Sequence, residues 1–304
     1  MSDFGSRLDR ALDARAGVAE RTDAFRLVDG AADGFPGIEI DVYANRWMIQ
    51  TRGEPPPPGL VDAALARGAA SVYWKRLAAA DRTAPVHLAG EVLHGTFEVR
   101  ENGMGYRIDF DAGYSQGLFL DQRENRLRLR EWCAGRPGVR VLNTFAYTCA
   151  FGVAAALGGA DTVNLDLSRR SLEWGRDNYR LNRLDEAPTR FVAGDVFDWL
   201  GRFARSGRSF DAVVLDPPTF SRDRKGRVFR VAKDLPALVE AASGVLASEG
   251  VLLCSTNQSD LGPERFSSLV QAGLAKGGAF QPLPMPADFR GDRYLKTVWV
   301  GVGR

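Results

Sequence analysis

From about residue 121 onward, short apolar runs alternate with stretches of helical length and pattern, and this constrains the fold more than any other feature. Asp121 to Cys133, Phe151 to Leu157, Ser171 to Leu181, 196–205 and 234–247 read as helices. Val139 to Asn143, Thr162 to Leu165, Arg190 to Val192, Ala212 to Leu215, Val251 to Ser255 and Tyr294 to Val302 read as strands between or after them. Apolar strands separated by helices predict an α/β fold with a doubly wound parallel sheet. Ser168 or Ser171 is expected to cap the helix that follows the second strand.

The preceding part has a different texture. Residues 24–112 form a smaller α+β block with strand signals at Ile38 to Val42, Trp47 to Thr51, Ser71 to Trp74, Gly95 to Val99 and Tyr106 to Phe110. Val61 to Arg67 reads as a short helix, and the four-proline run Pro55 to Pro58 as a stiff loop. Residues 1–23 read as an arm or helix whose Arg7, Arg10 and Arg15 form either a solvated face or an RNA contact. The resulting division is 1–23, a β-rich recognition domain at 24–112, and a catalytic domain at 113–304.

Three acids fall at the ends of successive strands of the catalytic block. Asp166 follows Thr162-Val-Asn-Leu, Asp195 follows Arg190-Phe-Val-Ala-Gly, and Asp216 follows Ala212 to Leu215. Open α/β sheets bind ligands at these carboxyl ends. Asp166 lies about 20 residues beyond Asn143, the offset at which an acid accepts from ribose hydroxyls. Asp195 is placed to accept from an adenine amino group. Each acid taken alone could equally cap the helix that follows it. The turn after the first strand, Asn143 to Gly152, has neither G-x-G-x-x-G nor a P-loop, so no phosphate cradle is present. An adenosine ligand without such a cradle suggests S-adenosylmethionine. At Leu215-Asp-Pro-Pro-Thr-Phe220 the prolines end the strand and stiffen the turn, setting carbonyl acceptors and a stacking ring at its mouth.

Bulk properties narrow the setting. Forty Lys and Arg against 38 Asp and Glu give a net charge of +2, which neither demands nor excludes nucleic acid. Cys133, Cys149 and Cys254 have no metal-ligand spacing, and an odd count argues against a disulfide framework, so a metal-free cytoplasmic protein is expected. No signal peptide or membrane-length apolar run is present. His87 and His94 read as structural. The oligomeric state is open, a homodimer included.

Taken together, these segments resemble the class I bacterial 23S ribosomal RNA methyltransferases, the group that holds the 5-methylcytosine and 7-methylguanine large-subunit enzymes. The resemblance rests on Arg26 to Asp41, Gly117 to Arg123, Val141 to Thr148, Asp166-Leu-Ser168, Leu172-Glu-Trp174, Asn178 to Asn182 and Leu215 to Ser221, and spans most of the chain. It implies a Rossmann-like catalytic domain, S-adenosylmethionine as cofactor and RNA as partner. By the same resemblance, Asn143, Phe145 and Thr148 would line the amino-acid end of the cofactor. Asp166, with Leu167 and Ser168, would hold the ribose, and Asp195 with Val196 the adenine. Arg123 would help close the pocket, its alternative being a salt bridge at a helix start. Asp216 and Pro217 would face the methyl group and the base.

Two departures stand out. Only about 20 residues precede the shared segment, where the group carries an RNA-binding module of the pseudouridine-synthase-associated type. RNA would then fall to the 24–112 block or to the basic stretch Arg222 to Arg230, flanked by Phe220 and Phe229. Cys149 stands where glycine is frequent in the group and would crowd the methionine end of the cofactor.

The residues also bear on which atom is methylated. Carbon-5 of a pyrimidine is a poor nucleophile and is activated by addition of a cysteine thiolate. The resemblance puts Asn257 where the 5-methylcytosine enzymes carry that cysteine. Cys254, an odd number of residues earlier on the strand, points to the opposite side and reads as core. Guanine N7 has a free lone pair and needs no base, so positioning by Asn257 and stacking on Phe220 would suffice. RNA methylation at guanine N7 is therefore favoured over cytosine C5. The alternatives are an exocyclic amine, a methyltransferase of small molecules or proteins on the same scaffold, and a non-catalytic RNA-binding protein.

Overall fold

The computed structural model describes residues 3–77, 83–92, 94–113, 115–136, 138–187, 190–222, 226, 228–274 and 277–303. The chain divides into two compact units, Met1–Arg123 with Pro286–Arg293, and Glu124–Met285 with Tyr294–Arg304.

The first unit is built on helices α1 (Phe4–Ala19) and α2 (Pro58–Leu65) and strands β1 (Ala24–Asp29), β2 (Ile38–Tyr43), β3 (Arg46–Thr51), β4 (Ser71–Arg76) and β5 (Val86–Gly90). The strands form one mixed sheet in the order β1-β2-β3-β4-β5, with β3 and β4 parallel across α2. A separate hairpin joins β6 (Phe97–Glu101) and β7 (Met104–Ile108). Of the arm and the helix expected at the start, Phe4–Ala19 form the helix. Leu8, Ala11 and Val18 of α1 are buried in one core with Leu27, Ile40, Ile49, Leu60 and Val72. Each fully buried aliphatic side chain contributes about 1.5–3 kcal/mol, which holds α1 on the sheet. Arg15 belongs to neither a solvated face nor a free RNA contact. It is buried and donates to both carboxylate oxygens of Asp33 at 2.6 Å.

Strand β1 escaped the sequence reading because Arg26 interrupts its apolar run. Asp29, Glu39 and Asp41 neutralise that arginine at 3.0, 2.8 and 2.5 Å. The first unit runs on to Arg123, and within it Phe110 packs edge-on against Tyr43, Tyr73 and Phe97. Arg123 itself pairs with Asp288 in the returning segment.

The second unit runs α3 (Arg123–Ala134), β8 (Arg140–Thr144), α4 (Ala150–Leu157), β9 (Asp161–Asp166), α5 (Arg169–Leu181), β10 (Phe191–Ala193), α6 (Val196–Arg205) and β11 (Phe210–Leu215). A short hairpin, β12 (Phe220–Arg222) and β13 (Val228–Arg230), precedes α7 (Val231–Ser243). Then follow β14 (Leu246–Thr256), α8 (Pro263–Gly273), β15 (Gly278–Leu283) and β16 (Lys296–Val302). The seven-stranded sheet has the order β10-β9-β8-β11-β14-β16-β15. Its first five strands are parallel, while β16 runs antiparallel to both β14 and β15.

Side chains alternate across this sheet as a two-residue period requires. Ala212 and Val214 of β11 join Leu129, Phe151 and Ala155 on one face. Val213 and Leu215 join Leu200, Leu235, Val239 and Phe266 on the other. Both faces are thus covered by helices, which explains the nearly continuous apolar strands. Strand order reverses between β8 and β11, and ligand crevices form at such a switch point.

Candidate active site at the carboxyl edge of the sheet

Register brings the strand ends into line. Thr144 pairs with Leu165 and with Leu215, and Leu215 pairs with Cys254. The next residues outward are therefore Phe145, Asp166, Asp216 and Ser255, a row of four at one edge.

The turn after β8 is the most strained stretch in the unit. Phe145, Tyr147 and Cys149 have φ of 51°, 48° and 61°, left-handed values that non-glycine residues rarely adopt. Asp166 holds this turn in place. Its Oδ2 accepts from the Tyr147 amide at 2.8 Å and its Oδ1 from the Ser168 amide at 2.7 Å. Burial raises the Asp166 pKa above the ordinary carboxylate value, and the bonds from Ser168, Tyr147 and Leu167 only partly counter that. Below the rim, Asn143 is buried and donates through Nδ2 to Asn164 Oδ1 at 2.9 Å. Asn164 in turn donates to the Tyr179 hydroxyl at 2.9 Å. The Thr148 carbonyl accepts from Asn178 Nδ2 at 2.9 Å. Asn143 and Thr148 thus hold up the turn from beneath, while the half-buried Phe145 ring lies 6.2 Å from that of Phe229.

Glycines make room for this construction. A Cβ on Gly152 would lie 2.0 Å from Asn164 Oδ1, and one on Gly175 would lie 2.2 Å from Cys149 Sγ. The Cys149 thiol therefore packs into the space left by Gly175.

Ser168 caps α5 by accepting from the Ser171 amide at 3.2 Å, beside the half-buried Leu167. Asp195 caps α6 by accepting from the Asp198 amide at 3.0 Å, and Val196 is buried behind it. The helix-capping alternative thus describes one bond of Asp195, and Asp166 instead ties two loops together.

At the other side of the switch point, Asp216 Oδ1 accepts from Ser255 Oγ at 2.6 Å. Pro217 is buried, and the Phe220 ring is 51% exposed beyond it. Thr219 Oγ1 donates to Asn257 Oδ1 at 2.9 Å. Lys296 Nζ donates to the carbonyls of Gln258 and Tyr294 at 2.5 and 2.6 Å. Ser255 and Lys296 were missed in the sequence. Strand alternation could have found Ser255, because it faces the same side as Asp216 one step past the core residue Cys254.

One expectation needs correction, and one alternative is filled. Phe229 is buried against Phe145 and Phe197, so it is not free to stack a base beside Phe220. Arg123 is fully buried, and its guanidinium donates to both oxygens of Asp288, one of them at 3.0 Å. Within the basic stretch, Asp223, Arg224, Lys225 and Arg227 lie outside the described residues. Among the described residues no group of His, Cys, Asp and Glu is placed to hold a metal, and no helix is long and apolar enough to cross a membrane.

The profile of the S-adenosylmethionine-dependent methyltransferase family matches residues 62–273, more than half of the chain. The chain belongs to that family. Relatives within reach of it include the ribosomal RNA large subunit methyltransferase I of Klebsiella pneumoniae (strain 342), 32% identical over 90% of this chain and 71% of that protein. The ribosomal RNA large subunit methyltransferase of Deinococcus radiodurans is 33% identical, with the same 90% and 71% coverage. Among solved structures, SMU.776 complexed with SAH matches with a TM-score of 0.87 and 29% identity, over 98% of this chain and 81% of that one. As a family member, the protein is a methyltransferase that uses S-adenosylmethionine. Its donor set suits that cofactor, with an acceptor-only carboxylate at the second strand end and no phosphate cradle.

Proposed function

We propose that the protein methylates N7 of a guanine in large-subunit ribosomal RNA. The observation that carries this reading is the pair Asn257 and Cys254 at the end of β14. The residue at the rim is an amide, and the neighbouring thiol lies in the core with Leu252 and Val298. Burial, and then the nearby Asp216 carboxylate, push the Cys254 thiol up, so it stays protonated and cannot add to a pyrimidine ring. The names of the Klebsiella and Deinococcus relatives support ribosomal RNA as substrate.

When bound, S-adenosylmethionine supplies a methyl group already activated on sulfonium. The protein's own residues then have to position and to exclude water. Asp166, with Leu167 and Ser168, would accept the ribose hydroxyls, and Asp195 with Val196 would take the adenine side. Asn143, Phe145 and Thr148 would shape the amino-acid end through the strained turn. Asp216, fixed by Ser255, and Pro217 would line the path of the methyl group, and Phe220 would stack on the base. Arg123 we assign to its ion pair with Asp288 rather than to the cofactor. Guanine N7 carries no proton, so no side chain has to act as a base.

Labelled methyl transfer to ribosomal RNA and to a small-metabolite extract, run side by side, tests the substrate class. Label in the RNA, lost in Asp216→Ala with cofactor affinity kept, is the expected result. Label in metabolites alone would overturn it.

A further inference from the structure

We propose that Arg202, Arg205 and Arg208 form a stripe along α6 and just past its end that grips phosphates of the RNA substrate. This rests on the ribosomal RNA reading above and places an RNA anchor in the catalytic unit.

The charge points to that unit. The first unit carries 16 Lys and Arg against 20 Asp and Glu, and the second carries 24 against 18. The 24–112 block thus lies in the acidic unit, and the field that attracts a polyanion belongs to the other.

Several arginines of the second unit have acid partners. Arg180 pairs with Asp177 and Glu186, Arg190 with Asp161 and Asp185, Arg176 with Glu173, and Arg140 with Asp211. Arg202, Arg205 and Arg208 are exposed, and among the described residues none of their guanidinium groups pairs with an acid or donates a hydrogen bond.

Rings hold two of the three in place. Arg202 Cζ lies 4.9 Å from the centroid of Trp199, and Arg208 Cζ lies 5.2 and 5.3 Å from those of Phe203 and Phe210. Phe203 packs on both Trp199 and Phe210 with centroids 5.4 Å apart. A guanidinium that rests its flat face on a ring keeps its N–H fork free, and that fork matches two phosphate oxygens. The helix dipole accounts for cations in the last turn of α6, but Arg208 lies beyond that turn. Helix α6 starts after Asp195 at the carboxyl edge and runs back toward β11, so the stripe begins about 10 Å below the rim. RNA held there leaves the rim clear for a splayed base.

The test measures binding of large-subunit ribosomal RNA at several salt concentrations, with KM, kcat, methyl incorporation and S-adenosylmethionine affinity. One variant combines Arg202→Gln, Arg205→Gln and Arg208→Gln. A control combines Arg136→Gln, Arg180→Gln and Arg265→Gln, the same loss of charge at other exposed positions. In the stripe variant RNA affinity should fall about 10–100-fold, and the slope of log affinity against log salt should drop by about two. KM for RNA should rise by a similar factor while kcat and cofactor affinity hold. Lysine at the same three positions keeps the charge and should recover most of the binding. A stripe variant that binds RNA as the wild type does, the result expected of a surface for an acidic protein, would overturn the proposal. So would a control that loses as much. RNA bound through the stripe but left unlabelled would overturn the functional reading alone, and a wild type without salt-dependent RNA binding would overturn both.

Discussion

The Tyr147 amide, on a left-handed residue of the turn after the first strand of the catalytic sheet, donates to Asp166 Oδ2 at 2.8 Å. One carboxylate thus fixes the strained turn and, in the proposed function, would also accept from the ribose. Burial raises its pKa, so it takes up a proton at higher pH than a free aspartate does. A raised folded-state value means that this group's contribution to stability is full below the unfolded pKa and is lost as pH rises through the folded one. Cofactor binding has the opposite sign, since only the ionised form is a pure acceptor. Affinity for S-adenosylmethionine should fall as the pH is lowered, and should begin to fall at a higher pH than the titration of a free aspartate would give. In Asp166→Asn it should be about 10–100-fold weaker and flat with pH, as titration calorimetry can check. A wild-type affinity independent of pH would show that the carboxylate charge plays no part.

The strand ends were legible because their chemistry is local. An apolar run followed by Asp166 or Asp216 reads the same in sequence and in space, and Ser168 and Asp195 cap helices as short-range rules require. What the sequence hid depends on partners far away in the chain. Arg26 kept β1 from being read as a strand, because Asp41 and Glu39, which neutralise it, come later in the chain. Arg123 reads as a pocket residue or a salt bridge at a helix start, and its partner Asp288 lies too far along the chain to be named from sequence. Phe229 reads as exposed because its neighbours are basic, but the hairpin turns it inward onto Phe145. Helix α8 and strand β15 were passed over for want of a marked pattern.

Gly175→Ala should destabilise the catalytic unit by about 1–3 kcal/mol, because the new Cβ would lie 2.2 Å from Cys149 Sγ. Each kcal/mol lowers the melting temperature by roughly 2–4 °C in a domain of this size. Adding Cys149→Gly removes the clash and relieves a left-handed cysteine at φ 61°, so the double variant should melt close to the parent. A double variant no better than Gly175→Ala would contradict this packing.

Arg123→Met leaves the Asp288 carboxylate buried without its guanidinium and should cost about 3–5 kcal/mol in denaturant unfolding. Arg123→Met combined with Asp288→Asn removes the stranded charge and should recover a good part of that loss. If the single variant keeps full stability but loses cofactor binding, Arg123 belongs to the pocket after all.

Cys254→Ala should keep turnover within about twofold while losing about 1 kcal/mol of stability from the core. Loss of turnover in a folded, cofactor-binding variant would reopen a covalent route through the thiol.

The central claim is the atom that receives the methyl group. The most direct measurement is to incubate unmodified large-subunit ribosomal RNA with the protein and labelled S-adenosylmethionine, digest it, and identify the labelled nucleoside by mass spectrometry. The account predicts N7-methylguanosine. A product of 5-methylcytidine would contradict it and would require a nucleophile that the rim of this sheet does not show among the described residues.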